Sequence, residues 1–277
     1  MRQILTDDGV PIVYGDFGPR NATPVVLCHG LAAAGEQLEA DARYFAGLGY
    51  RVLVPDLRGH GTSGRPVPLS AAGFSIPRMA DDLLAVLDDV AVGPVHWVGN
   101  SLGGILALQL LAQHEARIKT LATFGTAYRL SLPRWGARFI PLGYALLGPR
   151  LIAGMTAWGT TRNPAARPVI EKLVAQFDPE VGRFVAGNLA SYDLIANARA
   201  AKLPILMLRG GRDFQVNAAL GPTLAAMRDR PNFTLVEVPG GGHCANLDAA
   251  DVLRAELVRF WKDRQAPPPG ALDAYPA

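Results

Sequence analysis

Apolar positions along this chain fall into short β-branched runs that alternate with longer segments of helical period. The runs at residues 24–28, 50–54, 94–98, 118–124, 205–208 and 233–238 are bounded by glycine, proline or polar turns, as expected of strands buried on both faces. Residues 10–17 follow the Asp8-Gly9 turn signal and read as the second arm of an N-terminal hairpin. Helical patterns occupy residues 36–48, 77–90, 102–114, 220–228 and 251–262. Strand alternating with helix in this way predicts an α/β fold, a mainly parallel sheet with helices on both faces. In such sheets active residues collect at the carboxyl ends of the strands.

One interval breaks the alternation. Phe124 and Ile205 are separated by far more chain than a loop uses, so the interval must carry structure of its own. It reads as helical pieces with breaks at Pro133, Pro141, Pro149, Pro164 and Pro179. The expectation is a core of residues 1–125 and 203–263, a helical cap of residues 126–202, and a flexible proline-rich tail at 264–277. The cap is unusually apolar, with Trp135, Phe139, Leu142 and Leu146 at helical spacing and Trp158 beyond. These five are candidates for lining an apolar substrate pocket. The plainer alternative is that the stripe packs onto the sheet domain. Weak contact with a lipid surface is a third use, with Arg134, Arg138 and Arg150 on the outer face.

Composition narrows the function classes. Of 277 residues, 49% are hydrophobic and 18% charged, which describes a globular protein. The net charge is +3 and the basic residues are scattered, so nucleic-acid binding is not expected. Two cysteines, Cys28 and Cys244, make no disulfide framework, and no Cys/His spacing suggests a metal; neither cysteine is given a role, and no cofactor is expected. The first residues turn polar too soon for a signal peptide, and no apolar run is long enough to span a membrane. A cytoplasmic protein is expected, and its oligomeric state is not legible.

The candidate chemistry centres on Gly99-Asn100-Ser101-Leu102-Gly103-Gly104, where a strand meets a helix. G-x-S-x-G at such a junction describes a nucleophile elbow, with glycines where backbone segments approach too closely for a Cβ. Serine needs a base to take its proton, and the base needs an acid to hold its tautomer. His243 lies in the glycine-rich loop after the strand at 233–238, and Asp213 follows the strand at 205–208. The strand at 118–124 is followed by Gly125-Thr126-Ala127-Tyr128 and offers no carboxylate. Ser101, Asp213 and His243, in that order at strand ends, are the expected catalytic residues. The transition state of acyl transfer also needs amide donors. The backbone N–H groups of Leu102, opening the helix after the serine, and of Leu31, in His29-Gly30-Leu31-Ala32, are the candidates. His29 is expected to brace that loop.

Taken together, His29-Gly30, Asp56-Leu57-Arg58-Gly59-His60-Gly61-Thr62-Ser63, Gly99 to Gly104, Asp213 and Gly242-His243 resemble the α/β-hydrolase fold family. The resemblance is to the small cap-bearing, esterase- or lipase-like branch, and extends to enol-lactonases, perhydrolases and hydrolases of ring-fission C–C bonds. It implies an eight-stranded, mainly parallel sheet with an inserted lid, and a structural role for the block at 56–63. Serine at residue 101, where aspartate would stand in dehalogenases and epoxide hydrolases, points away from those branches. The expected reaction is hydrolysis of a carboxylic ester of a small to medium apolar acyl group through an acyl-enzyme. The alternatives are an enol-lactonase, a C–C hydrolase using Arg129, Arg162 or Arg199 for an acidic substrate, and a non-enzymatic signal receptor.

Overall fold

A computed structural model describes residues 1–161 and 163–262. Eight strands form one sheet: β1 (Arg2–Leu5), β2 (Pro11–Phe17), β3 (Pro24–Cys28), β4 (Arg51–Pro55), β5 (Val95–Asn100), β6 (Ile118–Phe124), and, after β7 (Arg129–Ser131) and β8 (Ser191–Asp193), which pair antiparallel with each other in a separate ribbon, β9 (Ile205–Gly210) and β10 (Phe233–Val238). Their order is β1-β2-β4-β3-β5-β6-β9-β10. β1 and β2 pair antiparallel, as does β2 with β4, and every later pairing is parallel. The sheet is the predicted one, with helices on both faces.

Because successive side chains of a strand point to opposite faces, each central strand feeds two cores. Val26 and Cys28 of β3, Trp97 of β5 and Met207 of β9 pack on one face. Val25 and Leu27, Val98, and Leu206 and Leu208 pack on the other. Helices α1 (Glu39–Gly47), α2 (Ile76–Asp89) and α3 (Leu102–His114) follow the early strands. Four more, α4 (Ile140–Leu147), α5 (Pro149–Thr160), α6 (Arg167–Gln176) and α7 (Pro179–Leu189), lie in the insertion, and α8 (Ile195–Ala200) leads back to the sheet. The last are α9 (Phe214–Ala219), α10 (Gly221–Met227), α11 (Ala245–Asp248) and α12 (Ala250–Lys262). Leu253, Leu257, Phe260 and Trp261 form the buried stripe of α12, and Trp261 sits edge-on to Phe45 of α1 at 4.9 Å between ring centroids. Burying side chains of this size contributes roughly 1.5–3 kcal/mol each.

Differences from the expected elements are local. The helix expected at 36–48 opens as a 3-10 turn, Gly35–Leu38, before α1 begins. The β7–β8 ribbon, which pairs the two ends of the insertion, was not expected, since three residues per strand are too few to show alternation. The apolar stripe of the insertion is not one helix. Arg134–Phe139 is a 3-10 helix, and a 119° bend separates the α4 end at Leu147 from α5. At three residues per turn, the spacing that would align Trp135 and Phe139 with Leu142 and Leu146 is lost. No single helix among the described residues is long and apolar enough to cross a membrane. The tail at 264–277, the last core position 263, and Arg162 lie outside the described residues.

Two buried histidines brace the core in their neutral form. His60 donates from Nδ1 to the Arg58 carbonyl at 2.9 Å, and burial pulls its pKa down to about 3. His96 stands 2.8 Å from the Thr120 hydroxyl, and burial, with Lys119 nearby, lowers it to about 4. An unfolded histidine titrates near 6.5, so below that pH the unfolded chain binds more protons than the folded one. Stability should therefore fall as pH drops from about 6.5 to 4, by up to ~1.4 kcal/mol per pH unit for each histidine. Urea titrations across that range should show the falling midpoint, and His96→Leu should make the fall shallower; an equal slope in the variant would contradict this account.

Candidate active site

Ser101 is the single residue between β5 and α3, at φ 50° and ψ −112°. A non-glycine residue held there costs about 1–3 kcal/mol, so its surroundings must impose the conformation. They do so through close contact. A Cβ on Gly99 would lie 2.3 Å from the Gly104 nitrogen, and one on Gly103 would lie 2.2 Å from the Cys28 carbonyl oxygen. The Ser101 N–H donates to the Phe124 carbonyl at 2.9 Å, and the Thr126 hydroxyl donates to the Ser101 carbonyl at 3.1 Å. The first turn of α3 is thus seated on the carboxyl ends of β3 and β6.

Asp213 and His243 arrive from the next two strands. Asp213 is buried, three residues past the end of β9, and N-caps α9 by accepting from the Val216 N–H at 3.1 Å. Its other oxygen, Oδ2, stands 3.0 Å from His243 Nδ1. Capping and orienting an imidazole are therefore both done by the same carboxylate. With Nδ1–H donating to Asp213, His243 Nε2 is left to accept, in the cavity that Ser101 also lines. The backbone of His243 is held as well: its N–H donates to the Thr160 carbonyl at 3.1 Å, at the end of α5. Next to it, the Gly242 N–H donates to Asp248 at 2.7 Å, and the Thr161 hydroxyl donates to the same carboxylate.

The loop after β3 passes directly beside the serine, since a Cβ on Gly30 would lie 3.2 Å from the Ser101 Cβ. Leu31 lines the cavity with Ser101 and His243. Leu102 opens α3, where no helix carbonyl reaches its N–H. His29 does brace this loop. Its Nε2 accepts from the Leu57 N–H at 3.0 Å, so the proton is on Nδ1, which donates to the Gly30 carbonyl at 2.8 Å. Burial lowers its pKa and keeps the ring neutral. The block at 56–63 is a turn whose first half is buried: Asp56 accepts from the Gly35 and Thr62 N–H groups, and Arg58 is buried against Asp82 and Asp8.

The cavity has two lobes that meet at Ser101. One, of about 360 Å³, is lined by Leu31, Ile170, Leu173, Val174, His243 and their neighbours. The other, of about 240 Å³, is lined by Ile105, Ala127, Leu130, Leu132, Tyr192 and Val216 among others. Leu189 and Gln215 border both. No Asp, Glu, Lys or Arg lines either lobe among the described residues. Arg129 faces Asp193 and Arg199 faces Asp229, so neither enters the cavity.

The five aromatic and leucine candidates for the pocket are elsewhere. Trp135, Phe139, Leu142, Leu146 and Trp158 are 46–74% exposed, on the outside of the insertion, and none of them lines either lobe. This corrects both the pocket-lining and the core-packing expectation. The inner face of α5 is made of small residues, Ala153 and Ala157, packed with Ile170, Val174 and Cys244, while Thr156 and Thr160 face the cavity. Close approach of these small side chains leaves the large ones to point away.

A buried polar chain behind the serine was not anticipated. Asn100 accepts from Gln37 at 3.0 Å and donates to the His243 carbonyl at 3.0 Å. Gln37 also donates to Asn246, which donates to Asp41, and Asp41 accepts from Arg254 of α12 at 2.7 Å. Burial raises the Asp41 carboxyl against the pull of these two donors. Burial also pushes the Cys28 and Cys244 thiols far above their ordinary range, which suits core packing rather than nucleophilic chemistry. No group of three or more His, Cys, Asp or Glu side chains is placed to hold a metal ion among the described residues.

A family-wide sequence profile described as the alpha/beta hydrolase fold matches residues 23–250. The chain belongs to the α/β-hydrolase fold family. It is 28% identical over 270 residues to a Variovorax paradoxus protein that bears the name of a carbamate hydrolase, RutD, covering 93% of this chain and 98% of that one. Among solved structures it resembles a thermophilic esterase from Thermogutta terrifontis, at TM-score 0.82 and 22% identity over 96% of this chain and 100% of that one. The enol-lactonase of Burkholderia xenovorans LB400 is as similar, at TM-score 0.82 and 24% identity over 94% and 100%. At such identities the structural likeness is a likeness of fold.

The close contacts around Ser101 make the elbow intolerant of added volume. Gly103→Ala should destabilise the protein by about 1–3 kcal/mol, because the new methyl meets a backbone carbonyl that cannot turn away. Chemical denaturation measures this, and an unchanged midpoint would mean that α3 is not seated as described.

Proposed function

We propose that this protein is a serine hydrolase that cleaves carboxylic esters of small to medium, uncharged apolar acyl groups. The observation that carries the reading is the junction at Ser101. A strained serine opens on two mainly apolar lobes with no Asp, Glu, Lys or Arg in their lining among the described residues, and a histidine lining the same space has its Nδ1 held 3.0 Å from a buried carboxylate.

In this mechanism the Ser101 Oγ attacks the ester carbonyl while His243 Nε2 takes its proton. Asp213 keeps the other nitrogen protonated and stabilises the imidazolium that forms. The N–H groups of Leu31 and Leu102 donate to the developing oxyanion, the latter at the positive end of α3. His243 then returns the proton to the leaving alcohol. Water, deprotonated by the same nitrogen, attacks the acyl-enzyme, releases the acid and restores Ser101.

The absence of a charged lining residue among those described favours a neutral ester or lactone over an acidic ring-fission product or carboxylate-bearing enol-lactone. A carboxylate in such a cavity would be desolvated without a counter-ion.

The test is a chain-length panel of aryl esters, with lactones and a ring-fission dienone, run on wild type and Ser101→Ala. Each buried methylene is worth about 0.8 kcal/mol, or roughly fourfold, so kcat/KM should rise at least tenfold from acetyl to hexanoyl esters. Equal turnover of acetyl and medium-chain esters would refute the apolar-acyl preference. Ser101→Ala should remove multiple turnover, with a loss on the order of 10⁴-fold or more. Asp213→Asn should lower kcat by about 10⁴ by supplying the wrong tautomer, with little change in KM. Slow single turnover with tightly held product in the wild type would instead point to a receptor.

A further inference from the structure

The outer surface of the insertion carries a feature that ester cleavage does not use. Leu146 is 74% exposed, Trp135 63%, and Met155 and Trp158 58% each. Leu142, Leu147 and Leu151 are about half exposed beside them. Large apolar side chains normally appear singly on a protein surface, and so many on two consecutive helical segments suit a contact site. The group is arranged around a corner. α4 and its preceding 3-10 turn meet α5 at 119°, and Leu146, Leu147 and Leu151 occupy the apex beside Gly148 and Pro149.

Along the chain that forms the corner the charge is of one sign. From residue 130 to residue 170 the sequence has five arginines and no Asp, Glu or Lys. Arg134, Arg138 and Arg150 are exposed, and no carboxylate pairs with them among the described residues. Arg138 instead lies over the Phe139 ring, 4.9 Å from its centroid. Apolar apex and unpaired arginines together match the two attractions of an anionic bilayer, whose interior takes the leucines and whose headgroups take the cations. A second copy of the chain fits less well. A two-fold contact through this face would bring the same arginines together with no carboxylate to separate them.

We propose that the α4–α5 corner docks this protein on membranes rich in anionic lipid. The apex enters the headgroup layer and Arg134, Arg138 and Arg150 contact the phosphates. Since α5 presents Leu151, Met155 and Trp158 outward and Thr156 and Thr160 to the cavity, docking places one helix between the lipid surface and Ser101. Docking itself does not require that Ser101 be a nucleophile, so the two ideas fail separately.

Vesicle flotation of the full chain tests the proposal. Wild type should float with phosphatidylglycerol/phosphatidylcholine vesicles, and at least tenfold less with pure phosphatidylcholine or in half-molar salt. Leu147→Glu/Leu151→Glu should lose at least tenfold in binding, and so should Arg134→Gln/Arg138→Gln/Arg150→Gln, which leaves every apolar residue in place. Both variants should keep the wild-type melting temperature and, if the esterase reading holds, the wild-type rate on a water-soluble acetyl ester. No flotation with anionic vesicles, or flotation that neither variant weakens, would overturn the proposal. So would a concentration-dependent dimer that Leu147→Glu/Leu151→Glu dissolves while vesicle binding is absent, since the face would then be a protein interface.

Discussion

The site rests on how closely α3 approaches the strands beneath it. With a hydrogen atom at residue 103, the helix begins against the Cys28 carbonyl, and with one at residue 99, the strand can turn into that helix at once. The neighbours that reach Ser101 from β3 and β6 are placed by that approach. The loop after β3 runs alongside because β3 is the neighbour of β5, and Thr126 reaches the Ser101 carbonyl because β6 is the neighbour on the other side. The strain at Ser101 is a result of this seating, distributed over contacts that would all have to loosen together to relieve it.

Behind the serine, a line of amide side chains ties elements that are distant in sequence. Asn100, Gln37 and Asn246 satisfy one another and leave few donors or acceptors idle, which is what makes a buried polar chain tolerable. Its far end reaches Asp41 and Arg254, so the first and last helices of the sheet domain are joined to the loop that carries His243. Rigidity at the imidazole thus draws on helices that never touch the cavity.

The sheet was legible because its strands are buried on both faces, and burial writes short β-branched runs that little else produces. Ser101, Asp213 and His243 were legible for a related reason: each follows a strand, and glycine marks the turns around the first and last. What did not show in the sequence depends on partners far along the chain. Asn100 looks like any residue of an elbow until Gln37 is placed beside it, and no periodicity predicts that Asn246 will complete the set. The insertion misled for a physical reason. Trp135, Phe139, Leu142 and Leu146 have helical spacing, but the backbone passes through a 3-10 turn that ends at Phe139, and the α-helix begins only at Ile140.

The hold of Thr160 on the His243 backbone has a consequence for how such a protein can change. Thr160 ends the helix that walls the cavity, and its carbonyl also lies where a Cβ on Gly242 would be, 2.7 Å away. Wall and imidazole are therefore joined through the backbone at Thr160, so the wall is not independent of the loop that carries His243. A substitution that shifts the end of α5 would shift the His243 imidazole with it. Under the proposed mechanism, selectivity and proton transfer would be inherited together, and substitutions that alter one would be retained only when they spare the other.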